Sequence, residues 1–326
     1  MKTTIPGLLL GHHSMGDTGC TVLVAPDSAV CSVDVRGGGP GTRETDLLNP
    51  SNTVQNVHAV LLTGGSAFGL DAAGGVMSEL ESRGIGFPVL GEGKPGPIVP
   101  IVPGAVIFDL LFGEASHRPG ATDGAAAVRA AFSDAEDASF ESSVGSVGAG
   151  VGATAGALRG GFGRASQQVG PKGQWTMEAF VVANPVGSVI DPTTGALWAQ
   201  PHGPRVDTEA FAALVPLAAR LNTTIGVIAT DAPITKAQAK RLAMAGHDGI
   251  AVAVRPAHSP LDGDTLFCLS TAPAPNPEGY GGVDIEAMMH LSAAAANVVA
   301  GAIATAVRHA AGLEFGVTAW QDIVTA

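Results

Sequence analysis

Short apolar stretches separated by turn residues predict a chain rich in strands. Residues 18–35 alternate between apolar and polar positions, and His58–Thr63 (HAVLLT) is a continuous apolar run typical of a fully buried strand. The glycine-rich segment 143–163 predicts strands in close backbone contact, and residues 189–198 predict a hairpin. Further strands are predicted at 103–110, at 176–184, at 223–230 and from Thr265 onward.

Helical patterns lie between these strands. A glycine turn after His58–Thr63 leads into a helix that reaches about Arg83, where Gly84 follows as the C-terminal cap. Further helices are predicted at 124–132, 209–221, 235–245 and 285–311. The elements do not alternate as regular βαβ units, so the order favours an α+β fold over a doubly wound sheet. We find no repeat and no linker, and we predict a single domain over residues 1–326.

Two glycine segments suggest close backbone approach. Gly64–Gly69 follows a buried strand, but it lacks the Lys-Ser/Thr of a phosphate-binding loop and the GxGxxG spacing of a dinucleotide site. We therefore predict that these glycines pack a helix against the sheet. The run Gly37–Gly41 has two interpretations: either its amides approach a ligand or another strand, or it is a plain wide loop.

Composition narrows the classes of partner. The chain has 326 residues, and its formal net charge of −12 with no basic cluster argues against nucleic acid and anionic membranes. Three scattered cysteines and the absence of an HExxH or HxH pattern indicate neither a disulfide framework nor a metal site, and we expect no cofactor. No signal-peptide pattern begins the chain, and the alanine-rich segment 288–307 is predicted as a core helix, so we expect a cytoplasmic protein.

The segment 260–271 carries the candidate chemistry. A tight Asp262-Gly263-Asp264 turn runs directly into Thr265, the first residue of a predicted strand. This arrangement suits an N-terminal-nucleophile hydrolase, in which the hydroxyl attacks its own preceding carbonyl and water then releases a new N-terminus. The freed α-amine, with a reference pKa near 8, can act as the base for the hydroxyl. An Asp-Gly turn before an ordinary strand threonine gives the same pattern, so spacing alone leaves both interpretations open.

Eight segments in the same order resemble one family. They are Thr18–Val22, Val35–Gly38, Leu62–Asp71, Val106–Asp109, Val147–Gly150, Asn184–Gly187, Asn222–Ile225 and Asp262–Phe267. Each is weak alone, but together the chain resembles the β-aminopeptidase and D-aminopeptidase/esterase family, and within it the 6-aminohexanoate-oligomer (nylon oligomer) hydrolases.

The resemblance implies a four-layer α/β/β/α sandwich of the N-terminal-nucleophile type. It also implies self-cleavage between Asp264 and Thr265 into chains 1–264 and 265–326, and a homo-oligomer of cleaved pairs, commonly a tetramer. The family nucleophile falls on Thr265, and the family oxyanion asparagine falls on Asn222. Asn222 could also simply end a helix before a strand.

The acidic groups that orient the nucleophile's amine are assigned to Asp284 and Glu286, at the start of the last predicted helix. These acids could equally serve only to complement the helix N-terminus. The implied activity is hydrolysis of β-, D- or ω-aminoacyl peptides, amides or oligoamides through a Thr265 acyl-enzyme. Two alternatives remain: an acyltransferase of the ornithine acetyltransferase type, and an uncleaved binding protein without activity.

Overall fold

The computed structural model describes residues 3–133, 140–216, 222–273, 281–312 and 316–325. The strands are β1 (Leu9–Ser14), β2 (Gly19–Val35), β3 (Thr42–Arg43), β4 (Asn56–Thr63), β5 (Phe87–Pro88), β6 (Ile98–Val99), β7 (Gly104–Val106), β8 (Thr154–Ala155), β9 (Leu158–Arg159), β10 (Gly161–Val169), β11 (Trp175–Ala183), β12 (Ala196–Leu197), β13 (Gln200–Arg205), β14 (Ile225–Thr230) and β15 (Thr265–Ser270). The helices are α1 (Ala72–Ser82), α2 (Ala121–Phe132), α3 (Thr208–Ala212), α4 (Lys236–Ala253) and α5 (Ile285–His309).

One long strand joins two halves of the main sheet. Over the described ranges the strand order is β10-β11-β14-β15-β2-β4-β7-β3, and β1 also pairs with β2. The register of β2 shifts between Val24 and Ala29. Before this irregularity β2 pairs with β1 and β4, and after it residues 30–35 pair antiparallel with β15. A bulge bends a strand and increases its twist, so β2 belongs to both halves.

Three apolar cores separate four layers. Along β15, Leu266 and Cys268 face a core shared with α4 and α5, whereas Phe267 and Leu269 face a second core shared with β2 and β4. The third core lies between the other face of β2 and β4 and the helices α1 and α2. Alternate residues of one strand reach opposite faces, so this pattern requires helices, sheet, sheet and helices in that order. The predicted four-layer sandwich is confirmed.

Several predicted elements differ from the observed ones. The segment 143–163 contains only the first three residues of the long strand β10, and the rest of it forms turns, short helical turns and two-residue strands. The predicted helix 209–221 is limited to α3, and residues 217–221 lie outside the described residues. The helix predicted at 235–245 continues to Ala253. Helix α5 is long and apolar enough to cross a membrane, but its apolar residues pack in the first core as predicted.

Candidate active site

Thr265 is the first residue of β15 and is fully buried. It pairs with Ile225 in the parallel register of β14 and with Val35 in the antiparallel register of β2. Its backbone N–H donates to the Thr224 carbonyl at 3.0 Å, and its hydroxyl donates to the Gly263 carbonyl at 2.8 Å. Strand pairing on both sides therefore fixes the threonine backbone, and the second hydrogen bond fixes its side chain.

The carbonyl before Thr265 lies against two backbone amides. The Asp264 oxygen accepts hydrogen bonds from the N–H groups of Arg36 and Gly37, with N–O distances of 2.9 and 3.4 Å. A β-carbon on Gly37 would lie 2.3 Å from the Asp262 oxygen and 2.4 Å from the Asp264 nitrogen. Only glycine allows this approach, so the Gly37–Gly41 run does make a close backbone approach, although to the turn before β15 and not to a ligand or a strand. Two N–H donors on one carbonyl form an arrangement suited to stabilising an oxyanion.

The two carboxylates of the turn are also held by hydrogen bonds. Asp264 accepts from the Thr224 N–H at 2.8 Å and from the N–H and Nδ1 of His258 at 3.1 and 2.8 Å. Asp262 accepts from Ser259 and from the Val186 N–H. Burial raises the pKa of Asp262, and the neighbouring Asp264 charge adds to this rise. The turn is therefore anchored at both acids.

Asn222 lies beside the same turn, three residues before the β14 residue that faces Thr265. Its N–H donates to Leu261, its carbonyl accepts from the Gly263 N–H, and its side-chain Nδ2 donates to the Pro185 carbonyl at 2.9 Å. Its Oδ1 is buried and has no hydrogen-bond partner among the described residues. An amide nitrogen carries two hydrogens, so Asn222 retains one N–H that Pro185 does not use.

A cavity of about 150 Å³ lies next to Asn222 and is lined also by Thr223, Leu261, Gly39–Gly41, Ser66, Ala67, Val106 and Phe108. Thr265 does not line it and is fully buried in the continuous chain. A larger groove of about 900 Å³ lies near Asn56, at the other end of β4 from Thr63 and Ser66. Asn56 pairs with Val30 of β2, which pairs with Ser270, so this groove lies towards the opposite end of β15 from Thr265. The smaller cavity is the candidate acyl pocket.

Asp109 supports one wall of this cavity. Its carboxylate accepts from the Thr18 hydroxyl at 2.6 Å and from the Gly65 N–H at 2.7 Å, directly before Ser66. Gly65 and Ser66 have φ angles of 81° and 54°, so the turn uses the left-handed region at two successive residues. Burial raises the pKa of Asp109 to about 6, although both hydrogen bonds act in the opposite direction.

Ionisation of Asp109 is expected to destabilise the fold. Its pKa is higher in the folded chain than the usual 3.8, so stability falls as pH rises from about 4 to about 6. The free energy of unfolding of the wild-type chain should fall by about 3 kcal/mol across this window. We predict that Asp109→Asn abolishes that fall. Urea unfolding of both chains at several pH values, in a Thr265→Val background that keeps the chain in one piece, measures this difference. Parallel pH profiles for the two chains would contradict the prediction.

The structure does not bring Asp284 and Glu286 to Thr265. Asp284 caps α5 by accepting from the Ala287 N–H at 2.8 Å, and Glu286 lies in the first helical turn. The preceding Val283 carbonyl accepts from Gln238 at the start of α4, near the Ser270 end of β15. Thr265 is at the opposite end of that strand. The observed contacts match the helix-capping alternative and give no support to a role on the nucleophile's amine.

Two contributors to the site were not predicted from the sequence. His258 binds Asp264, and the N–H of Arg36 binds the Asp264 carbonyl, yet neither residue belongs to a motif with a chemical meaning of its own. The glycine run after Arg36 was the available signal, because it marked a place of close approach. His258 offered no signal beyond its position six residues before Asp264.

Comparison with known proteins identifies the family of this chain. Residues 3–318 match the model of peptidase family S58. An uncharacterized aminopeptidase of Mycobacterium leprae is 47% identical over 82% of this chain and 78% of its own. A 6-aminohexanoate-oligomer endohydrolase of Paenarthrobacter ureafaciens is 32% identical over 83% of this chain and 75% of its own.

Solved structures show the same fold. The L-aminopeptidase D-Ala-esterase/amidase of Ochrobactrum anthropi, described as a variant of the N-terminal-nucleophile hydrolase fold, matches with a TM-score of 0.72 and 20% identity, over 95% of this chain and 87% of its own. A Burkholderia sp. β-aminopeptidase matches with a TM-score of 0.69 and 23% identity, over 95% and 86%. The predicted family and fold are confirmed: this chain belongs to peptidase family S58 and is a hydrolase that acts on amide bonds.

Proposed function

We propose that the chain cleaves its own Asp264–Thr265 bond and that Thr265 is then the nucleophile of an aminopeptidase or amidase. One observation carries this proposal: the Asp264 carbonyl rests on two N–H donors while the hydroxyl of the next residue is fixed in a buried site. Family membership supports the same chemistry.

Self-cleavage begins with attack of the Thr265 hydroxyl on the Asp264 carbonyl carbon. The negative charge that develops on the carbonyl oxygen is stabilised by the N–H groups of Arg36 and Gly37. The C–N bond then breaks, the nitrogen takes up the hydroxyl proton, and an ester joins Asp264 to the Thr265 oxygen. Water hydrolyses this ester, which leaves a carboxylate on Asp264, a free amine on Thr265 and a free hydroxyl.

Cleavage also opens the site. In the continuous chain Thr265 is fully buried and does not line the cavity. After hydrolysis residues 262–264 are a chain end, which can move away and connect Thr265 with the cavity beside Asn222. The freed amine starts next to the Thr224 carbonyl, which holds its nitrogen at 3.0 Å before cleavage.

Substrate hydrolysis then follows the same steps on another amide. The amine of Thr265 takes the hydroxyl proton, the oxygen attacks the substrate carbonyl, and the proton passes to the leaving amine. The unused N–H of Asn222 stabilises the oxyanion, and water resolves the acyl-enzyme. We propose β-, D- or ω-aminoacyl amides and oligoamides as substrates. The named relatives act on such compounds, and Ala67, Val106 and Phe108 give the small cavity apolar walls for a short acyl chain.

N-terminal sequencing and intact mass of the purified protein test the proposal. We expect a second chain that begins Thr-Leu-Phe and a long chain that ends at Asp264. Active protein with only the Met1 terminus would contradict the mechanism. A panel of β-alanyl, D-alanyl and 6-aminohexanoyl anilides, assayed with and without ornithine as acceptor, distinguishes substrate classes and separates hydrolysis from acyl transfer.

Asn222→Ala is expected to slow amide hydrolysis while leaving self-cleavage intact. Because Arg36 and Gly37 hold the Asp264 carbonyl, self-cleavage should proceed, whereas loss of the Asn222 donor should lower kcat for amide hydrolysis by about 10²–10³-fold. Denaturing gels measure the first reaction and an anilide assay measures the second. Self-cleavage of the Asn222→Ala chain would also show that this variant folds. Equal loss of both reactions would show that Asn222 has no separate catalytic role.

Cytoplasmic location and assembly into an oligomer of cleaved pairs stay predictions from the sequence. Gel filtration with light scattering on the mature protein measures the assembly.

A further inference from the structure

The Asp264 side chain forms an ion pair that the steps above do not use. His258 Nδ1 lies 2.8 Å from the Asp264 carboxylate, and Nε2 lies 3.3 Å from the His247 carbonyl. Both partners are hydrogen-bond acceptors. A neutral imidazole has only one N–H, so it could satisfy one of them, whereas the imidazolium donates to both. The contacts of His258 therefore select its charged form.

The other charges around His258 leave it as the direct cationic partner of Asp264. From the end of β2, Asp34 binds Lys240 of α4 at 2.6 Å and the Arg36 side chain at 3.1 Å, so its charge is already compensated. The Arg36 guanidinium also donates to the Met244 carbonyl, so its hydrogen bonds go to Asp34 and Met244. His247 packs edge-on against His258, and burial lowers its pKa to about 4, so it is neutral. Asp262, bound to Ser259, adds a further acid to the same turn.

This charge matters because of where the oxyanion forms. During self-cleavage, negative charge develops on the Asp264 carbonyl oxygen, and the side-chain carboxylate of the same residue is only a few bonds away. Two like charges at such a distance in a buried site repel strongly, which opposes the attack. A cation on the carboxylate removes the repulsion without touching the reacting atoms.

We propose, on the basis of the self-cleavage mechanism above, that His258 is a positioning residue for that reaction: its imidazolium neutralises Asp264 and so permits the oxyanion to form.

The titration of His258 agrees with this role. Partial burial alone would lower its pKa, but the hydrogen bond and the charge of Asp264 outweigh burial and raise the pKa above 6.5. The pair is therefore present on the acidic side of the raised pKa, and it is lost as pH rises through that pKa.

Self-cleavage of the full-length chain, pulse-labelled by cell-free synthesis and chased between about pH 5.5 and about pH 8.5, tests the proposal. We compare wild type, His258→Gln, Asp264→Asn and the double variant on denaturing gels, with Thr265→Val as the chain that lacks the nucleophile. At the acidic end we expect His258→Gln to cleave about tenfold more slowly than wild type. The difference should shrink as pH rises through the raised pKa of His258, because wild type then loses the imidazolium.

The double variant distinguishes charge from packing. If His258 acts by neutralising Asp264, adding Asp264→Asn to His258→Gln restores the rate to that of Asp264→Asn alone, because no carboxylate is left to neutralise. A double variant as slow as His258→Gln, or a His258→Gln profile identical to wild type, overturns the proposal. Absence of cleavage in every chain, wild type included, refutes the self-cleavage mechanism itself and this proposal with it.

Discussion

Thr265→Val is expected to yield a single, uncleaved and inactive chain. Valine matches the volume and strand preference of threonine, and the position is fully buried between β14 and β2, so the fold should be retained. Without the hydroxyl neither the ester of self-cleavage nor the acyl-enzyme can form. Hydrolysis should fall by more than about 10⁴-fold, a loss typical of removing a nucleophile. Mass spectrometry and an anilide assay measure the two effects.

Thr265→Ser is the matched control. It keeps the hydroxyl and removes only a methyl group, so cleavage and activity should persist at a reduced rate. Circular dichroism and thermal unfolding of the valine variant verify that its inactivity does not come from misfolding. A correctly folded Thr265→Val protein that still hydrolyses amides would rule out the proposed nucleophile.

Gly37→Ala is expected to block maturation almost as strongly. The added β-carbon would lie 2.3 and 2.4 Å from backbone atoms of Asp262 and Asp264, so the loop or the turn must shift. Either shift moves the N–H donors of Arg36 and Gly37 away from the Asp264 carbonyl. Loss of such donors reduces rates by about 10²–10³-fold, and we expect that loss in the rate constant for self-cleavage. Pulse-labelled chain followed on gels measures it.

Gly39→Ala is a matched control from the same loop. Its β-carbon would have no neighbour closer than 3.8 Å, and its N–H can still donate to the Asp262 carbonyl. This variant should cleave at nearly the wild-type rate. Equal rates for Gly37→Ala and Gly39→Ala would mean that the Gly37 approach does not control the reaction.

Local pattern was enough to predict the α+β class, whereas the four-layer sandwich and the choice of Thr265 as nucleophile came from the family resemblance. Alternation along β2 and the apolar runs at His58 and Thr265 indicate strands, and an acidic turn before a strand marks the threonine. The bend of β2 was not predictable, because it depends on which strands pair on either side of its bulge. Strands were wrongly predicted over most of residues 143–163, because glycine permits turns as readily as closely paired strands.

The partners of Asp264 show the same limit. Arg36 and Asp264 are far apart in sequence and meet only because β2 pairs with β15. His258 depends on the path of residues 255–264, which no periodicity describes. Asp284 was chosen for its type and proximity in sequence, yet α5 begins at the other end of β15. Contacts between side chains that sheet register brings together cannot be predicted until that register is known.

The position of β15 bears on the durability of the proposed cleaved form. The segment that begins at Thr265 supplies an inner strand, between β14 and β2, and a helix that covers β10 and β11. Two separate polypeptides would thus share one core, and after heat or denaturant they must find each other again in a bimolecular step. Recovery should depend on protein concentration, whereas the uncleaved precursor refolds alone. The mature form would therefore last because it unfolds slowly, and once unfolded it would refold poorly.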